Sequence, residues 1–217
     1  MEAKNDKWRR SATGDFWNGI GPGDHVVQIY DNDHTYLNFL EGFVAAGFAA
    51  NDCVLVIATE KHLNSLENRL RFKGYNVFEL KLQDQYVALD ARETLAEFMI
   101  NNWPDEVLFA HVMSQHIAKA GSKKRKVRVF GEMVSILWVE GNRGATVQLE
   151  HLWDKMCKRE TLSLFCAYPQ SIIPQSTLES IFDICEIDPQ LIKLPKDSNH
   201  EILYQDIQYR NNQAQAS

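Results

Sequence analysis

Short, almost wholly apolar runs recur along this chain, and each is followed by a segment whose apolar residues fall at helical spacing. CVLVIAT (residues 53–59) has no polar alternation at all, which is the pattern of a strand covered on both faces. HVVQIY (25–30), YVALD (86–90), VRVFGEM (127–133) and LSLFCAYP (162–169) are also of strand length and similar character, and a further strand is expected over 77–82. Between the first two runs, Tyr36, Leu37, Leu40, Phe43, Val44, Gly47 and Phe48 form one helical stripe, preceded by DNDHT with its capping side chains. Residues 61–73 repeat the pattern with Leu63, Leu66 and Leu70, and Gly74 stands where a helix C′ glycine belongs. Helices are also expected over 92–101, 105–120, 134–140, 145–159 and 178–187. Buried strands alternating with amphipathic helices require crossover connections. The fold class this predicts is a three-layer α/β/α domain with a mostly parallel central sheet.

Composition narrows the partners. Hydrophobic residues make up 45% of the 217 and charged residues 24%, the proportions of a chain that folds around a core. With 23 Lys and Arg against 29 Asp and Glu, the net charge is −6, which disfavours nucleic acid as the main partner. The four cysteines, Cys53, Cys157, Cys166 and Cys185, show no Cys-x-x-Cys spacing and are expected as reduced thiols in a cytoplasmic protein. No apolar run has the length of a membrane span, and no membrane is expected among the partners. Residues 1–20 lack a regular period and are expected as a flexible arm whose Trp8, Phe16 and Trp17 can dock on the body. Residues 196–217 turn polar and are expected as a frayed tail.

In open α/β sheets ligands bind beyond the carboxyl ends of the strands. Those ends deliver Tyr30 and Asp31, Thr59 and Glu60, Asp90, Gly131 and Glu132, and Tyr168. Each carboxylate has a plainer reading as the cap of the next helix. The first turn, YDNDHT, has neither the glycines nor the lysine of a phosphate loop, and its Asp31 and Asp33 would repel a triphosphate. Nucleotide hydrolysis with Asp90 or Glu132 holding Mg²⁺ is therefore disfavoured. The seven histidines form no HExxH pair, so no metal and no cofactor are expected from spacing. There is no GxSxG elbow, and Cys166 sits inside an apolar strand, so no catalytic residue is expected. The basic run AGSKKRKVR (120–128) reads as the solvated end of a helix. Arg128 lies within the strand four residues before Glu132, on the same face, and as a buried cation it needs Glu132 or Glu150 as partner.

These segments, in this order, resemble the MEDS domain, the methanogen/methylotroph sensory domain of bacterial and archaeal signalling proteins. HVVQIYD, CVLVIATEKHLNSLENRLRFKGYNV, YVALDARETL, VRVFGEMVSILWVEGNRGATVQLEHLWDKMCKRE and LSLFCAYP carry the resemblance over roughly residues 20–190, within a domain placed at 21–195. It implies a core similar to RecA-type ATPases that lacks the Walker A loop, and a role in sensing small, hydrocarbon-derived molecules. The family's motif positions fall here on His25, Tyr30, Asp90, Arg128, Gly131, Glu132, Glu150, Cys166 and Tyr168. His25 opens its strand and is expected to be structural, together with Gly131, Glu150 and Cys166. Family members often carry a His where this chain has Asp188. The expected ligand site combines Tyr30, Asp31, Glu60, Asp90, Arg128, Glu132 and Tyr168, with Tyr30 and Tyr168 walling an apolar pocket and an Arg128–Glu132 pair at its rim. No kinase, receiver or helix-turn-helix segment is read in the chain. The signal is thus expected to pass by contact with a histidine kinase or other protein in trans, or within a homo-oligomer. The alternative is an interaction scaffold of a kinase pathway, with a degenerate nucleotide site and no ligand.

Overall fold

The computed structural model describes residues 14–30, 32–121, 124–169 and 202–205. Asp31, Cys185, Asp188 and the expected helix at 178–187 lie outside the described residues. The strands are β1 (His25–Tyr30), β2 (Cys53–Ala58), β3 (Tyr86–Asp90), β4 (Met99–Ile100), β5 (Trp103–Pro104), β6 (Val127–Gly131), β7 (Ser163–Pro169) and β8 (Ile202–Gln205). The helices are α1 (Gly14–Asn18), α2 (Asp33–Ala49), α3 (Glu60–Phe72), α4 (Val77–Leu82), α5 (Ala91–Ala96), α6 (Glu106–Gly121), α7 (Met133–Val139) and α8 (Arg143–Glu160).

Six strands form the central sheet in the order β3-β2-β6-β7-β1-β8, all parallel except β8, which runs antiparallel along the β1 edge. Every residue of β1, β2 and β6 is buried, as the continuous apolar runs require. Two cores flank the sheet. Val54, Val56, Phe130 and Phe165 meet α1 to α4 on one face, and Leu55, Ile57, Val129 and Leu164 meet α5 to α8 on the other. The three-layer α/β/α arrangement is the one expected from the alternation.

Local chemistry sets the element ends. Asn32 caps α2 by accepting from the Thr35 N–H at 2.9 Å. Gly74, at φ 90°, donates to Arg71 O while the Tyr75 N–H donates to Leu70 O, a Schellman stop for α3.

Three expectations need correction. Residues 77–82 form helix α4 instead of a strand, because the Asn76 side chain accepts from the Glu79 N–H and starts a helical turn. The helix expected over 92–101 ends at Ala96, and a hairpin follows in which Asn101 and Asn102 both take positive φ, the conformation a tight two-residue turn demands. Trp17, which the sequence allows to dock from the arm, does dock: it lies in α1 and is buried against Phe39, Phe43 and Phe165. Within the expected polar tail, ILYQ adds strand β8.

The topology defines a switch point. From β2 the chain moves outward to β3 through α3 and α4 on one face. From β6, the neighbour of β2, it moves the opposite way to β7 through α7 and α8 on the other face. The connections diverge at the carboxyl ends of β2 and β6, which makes that point the topological switch of the sheet.

Candidate functional site

Glu132 stands at this switch point. Its backbone N–H continues the sheet by donating to Ile57 O at 2.8 Å, which directs the side chain into the gap between the two strand ends. The carboxylate is buried and gathers donors from three residues, on α2 and at the start of α3. Its Oε2 accepts from the Thr59 N–H at 2.8 Å, the Thr59 hydroxyl at 3.2 Å and the Tyr36 hydroxyl at 3.4 Å. Its Oε1 lies 2.7 Å from His62 Nδ1. An ionised carboxylate only accepts, so Nδ1 carries the proton. The other ring nitrogen, Nε2, is buried, has no hydrogen-bond partner among the described residues and lies 4.0 Å from Asp33 Oδ1.

Aromatic rings line the cluster on the α2 side. Tyr36 lies 4.4 Å from the His62 ring, 5.0 Å from Tyr30 and 5.8 Å from Phe130, centroid to centroid. Burial, reinforced by the Glu132 charge, holds both the Tyr30 and Tyr36 phenols above their ordinary range, so both stay protonated. At the rim, Lys61 pairs with Asp33 at 2.5 Å and holds that carboxyl below the usual range. The arrangement presents one buried imidazole nitrogen beside apolar ring faces, with a carboxylate fixing the tautomer.

The expected site residues separate. Tyr30 and Glu132 come together here. Tyr168 does not, because Tyr30 faces the α2 core and Tyr168 the α8 core, on opposite sides of the sheet. They cannot wall one pocket. Arg128 is at the other end of β6, where Nε donates to Asp52 Oδ2 at 2.7 Å and Nη1 to the Trp17 carbonyl at 2.9 Å. The expected Arg128–Glu132 pair is therefore not formed, and neither is a pairing with Glu150. Asp52 is a turn residue that no strand or helix pattern marks. Asp90 takes the plainer of its two readings: its side chain caps α5 by accepting from the Arg92 and Glu93 N–H groups. Glu60 is exposed in the first turn of α3. His62, Tyr36 and Thr59 were not expected in the site. The available signal was position, since Thr59 follows β2 and His62 lies in the first turn of the next helix.

A second buried cluster lies on the opposite face. Glu150 of α8 is inaccessible to solvent and accepts from the Tyr168 hydroxyl through Oε1. Its Oε2 lies 3.8 Å from Cys166 Sγ and 3.7 Å from His25 Nε2. Burial raises the Glu150 carboxyl from 4.5 to about 7, against the lowering effect of its bonds from Tyr168 and Cys166. Burial lowers His25 from 6.5 to about 3, so its imidazole is neutral, and among the described residues neither ring nitrogen has a hydrogen-bond partner. Gly131 lies on this face too, and Trp153 of α8 would stand 3.6 Å from a Cβ placed there. At the amino end of the strands, a cavity of about 380 Å³ is lined by residues including Asp52, Arg125, Lys126, Arg128 and Ser163.

Such a molecule is an α/β domain whose mostly parallel sheet carries a buried polar cluster at its switch point and a second one beneath its central strands. The family model that matches it is MEDS, the MEthanogen/methylotroph, DcmR Sensory domain, over residues 24–184. The match covers well over half of the chain, and the protein belongs to this family of sensory domains. No curated protein matches it at a significant level. Among the described residues, no helix is long and apolar enough to cross a membrane.

Proposed function

We propose that this chain is a non-catalytic sensory module that takes up a small, largely apolar molecule at the carboxyl ends of β1, β2 and β6. Tyr30, Tyr36, His62 and Glu132 receive the ligand, and occupancy changes a contact with a second signalling protein, such as a histidine kinase acting in trans. The observation that carries the reading is the buried His62 Nε2 at the switch point, beside the Tyr36 ring and without a hydrogen-bond partner among the described residues. A buried polar atom without a partner costs free energy that a ligand group hydrogen-bonded to it would recover. The aromatic rings around it supply apolar contact, and the Lys61–Asp33 pair supplies a polar rim. Binding shifts the module only if the ligand favours one of its conformations over another.

The test is thermal unfolding in the presence of small halogenated compounds, one-carbon compounds, apolar metabolites, Mg-ATP and Mg-GTP. A ligand at 100 times its Kd adds about 2.7 kcal/mol. At about 2–4 °C per kcal/mol this becomes a shift of about 5–11 °C. The expected result is a shift with an apolar compound that disappears in His62→Gln and shrinks in Tyr30→Ala. A shift with Mg-nucleotide, or one that both variants retain, overturns the assignment. If no compound shifts the protein and a partner binds without ligand in a pull-down, the interaction scaffold replaces the sensor.

A further inference from the structure

We propose that His25, Glu150 and Cys166 form a binding site for a divalent transition-metal ion of the zinc type, on the face of the sheet opposite Glu132. The site is independent of the crevice reading above and stands or falls separately.

The geometry begins with strand register. His25 opens β1 and pairs with Leu164 of β7, so its side chain shares a face with Cys166 two residues further along β7. Helix α8 crosses that face and brings Glu150 above both. A donor nitrogen, a carboxylate oxygen and a thiol sulfur thus meet, all within 4.8 Å of one another and all buried. Glu150 Oε2 is 3.7 Å from His25 Nε2 and 3.8 Å from Cys166 Sγ. The nitrogen–oxygen separation is too long for a hydrogen bond. This edge and the oxygen–sulfur one lie within the edges of about 3.3–3.8 Å that zinc–ligand bonds of about 2.0–2.3 Å give a tetrahedron, and the nitrogen–sulfur edge is no longer than 4.8 Å.

A second observation is independent of the distances. The His25 imidazole is almost wholly buried and has no hydrogen-bond partner on either nitrogen among the described residues. A buried imidazole with no partner is unfavourable, and a metal on Nε2 gives that nitrogen one. Tyr168 then has a defined part. Its hydroxyl donates to Glu150 Oε1, which fixes the carboxylate with Oε2 turned toward His25 and Cys166. A hydrogen bond of this kind to a ligating carboxylate fixes its orientation toward the metal.

Ligand chemistry selects the ion. Mg²⁺ and Ca²⁺ take oxygen donors, whereas a mixed nitrogen, sulfur and oxygen set suits Zn²⁺ and its neighbours in the first transition row. When the metal–sulfur bond forms, the thiol proton of Cys166 leaves to solvent, so uptake releases a proton. Three protein ligands leave a fourth position for a water or another donor.

The experiment uses the full chain, stripped with a chelator, unfolded and refolded with Co²⁺ in place of zinc. One Co²⁺ per chain is expected, with a thiolate-to-cobalt charge-transfer band in the near ultraviolet that added Zn²⁺ bleaches. The band should vanish in Cys166→Ser and persist in Cys157→Ser. Tyr168→Phe should weaken binding by about 10–100-fold while keeping the band. X-ray absorption on the unmutated cobalt protein should count one sulfur per metal, a readout that holds even where a variant misfolds. No charge-transfer band in the unmutated protein, no sulfur in the absorption spectrum, or a band that survives Cys166→Ser overturns the site.

Discussion

Arg128→Met tests the assignment of the buried cation, the point on which sequence and structure diverge most sharply. In the folded chain, Arg128 donates to Asp52 and to the Trp17 carbonyl, and both members of the ion pair are nearly inaccessible to solvent. Removing the cation leaves the Asp52 carboxylate buried without its charge partner, a change that costs about 3–5 kcal/mol in comparable sites. Asp52 also lines a cavity, through which water can reach it in part, so the expected loss is near the lower bound, about 3 kcal/mol. Arg128→Met/Asp52→Asn removes the stranded charge and should recover part of that loss, with a coupling of about 2 kcal/mol, inside the usual range for residues in contact. Glu132 is four residues further along β6, about 13 Å away at strand rise. Arg128→Met/Glu132→Gln should therefore be additive within about 0.5 kcal/mol. Urea unfolding at neutral pH, with unchanged m-values, measures all of these terms. The reasoning is refuted if Arg128→Met costs less than about 1 kcal/mol, or if Arg128 couples to Glu132 and not to Asp52. Any ligand-induced thermal shift should survive Arg128→Met, because the cation sits at the far end of the strand.

Other perturbations probe separate parts of the molecule. Gly47→Ala would place a Cβ 2.5 Å from Val54 Cγ2 and 3.1 Å from Arg128 Cδ, both held in the core. The helix-propensity gain of about 1 kcal/mol is outweighed by overpacking of about 1–3 kcal/mol, so the melting temperature should fall, and a rise would contradict the close approach of α2 to β2. Asp90→Ala should cost about 1 kcal/mol through loss of the α5 cap. Ligand binding should be unaffected in that variant, and a lost thermal shift would return Asp90 to the binding site. Cys53 is pushed up from 9.0 to about 12, first by burial, with Arg125 opposing and Asp84 and Asp52 assisting. The folded state thus favours the thiol: its contribution to stability is complete below pH 9.0 and is lost as the pH rises toward about 12. Native protein near pH 9.0 should leave Cys53 unmodified by iodoacetamide, with labelling only after denaturation, and rapid native labelling would show an open β2.

Much of the fold was legible because hydrophobic periodicity is a local property. A run such as CVLVIA is apolar on both faces whatever its neighbours, and it becomes a buried central strand. Where two local readings compete, short segments mislead: VFELKL has strand-like composition, but Asn76 caps it into a helix, and Asn101-Asn102 turns what had looked like one helix into a hairpin. The strand-end site was legible in the same limited way. Tyr30 and Glu132 follow from where strands stop, whereas His62 and Tyr36 belong to helices whose facing residues depend on how they lie on the sheet.

The amino-acid sequence alone determined the three layers, the position of most strands and helices, a first turn without the glycines and lysine of a phosphate-binding motif, and the family. Each of these depends on spacing along the chain or on residue type within a short window. Only the tertiary structure decided which polar residues meet. Arg128 finds Asp52, 76 positions away, and Glu132 finds His62 across 70. Strand register and helix placement likewise set His25 beside Glu150 and Cys166, with Tyr30 and Tyr168 on opposite faces. A buried polar group takes whichever partner the packing brings within a few ångströms, and that partner is chosen by the strand order of the sheet, which no local pattern encodes.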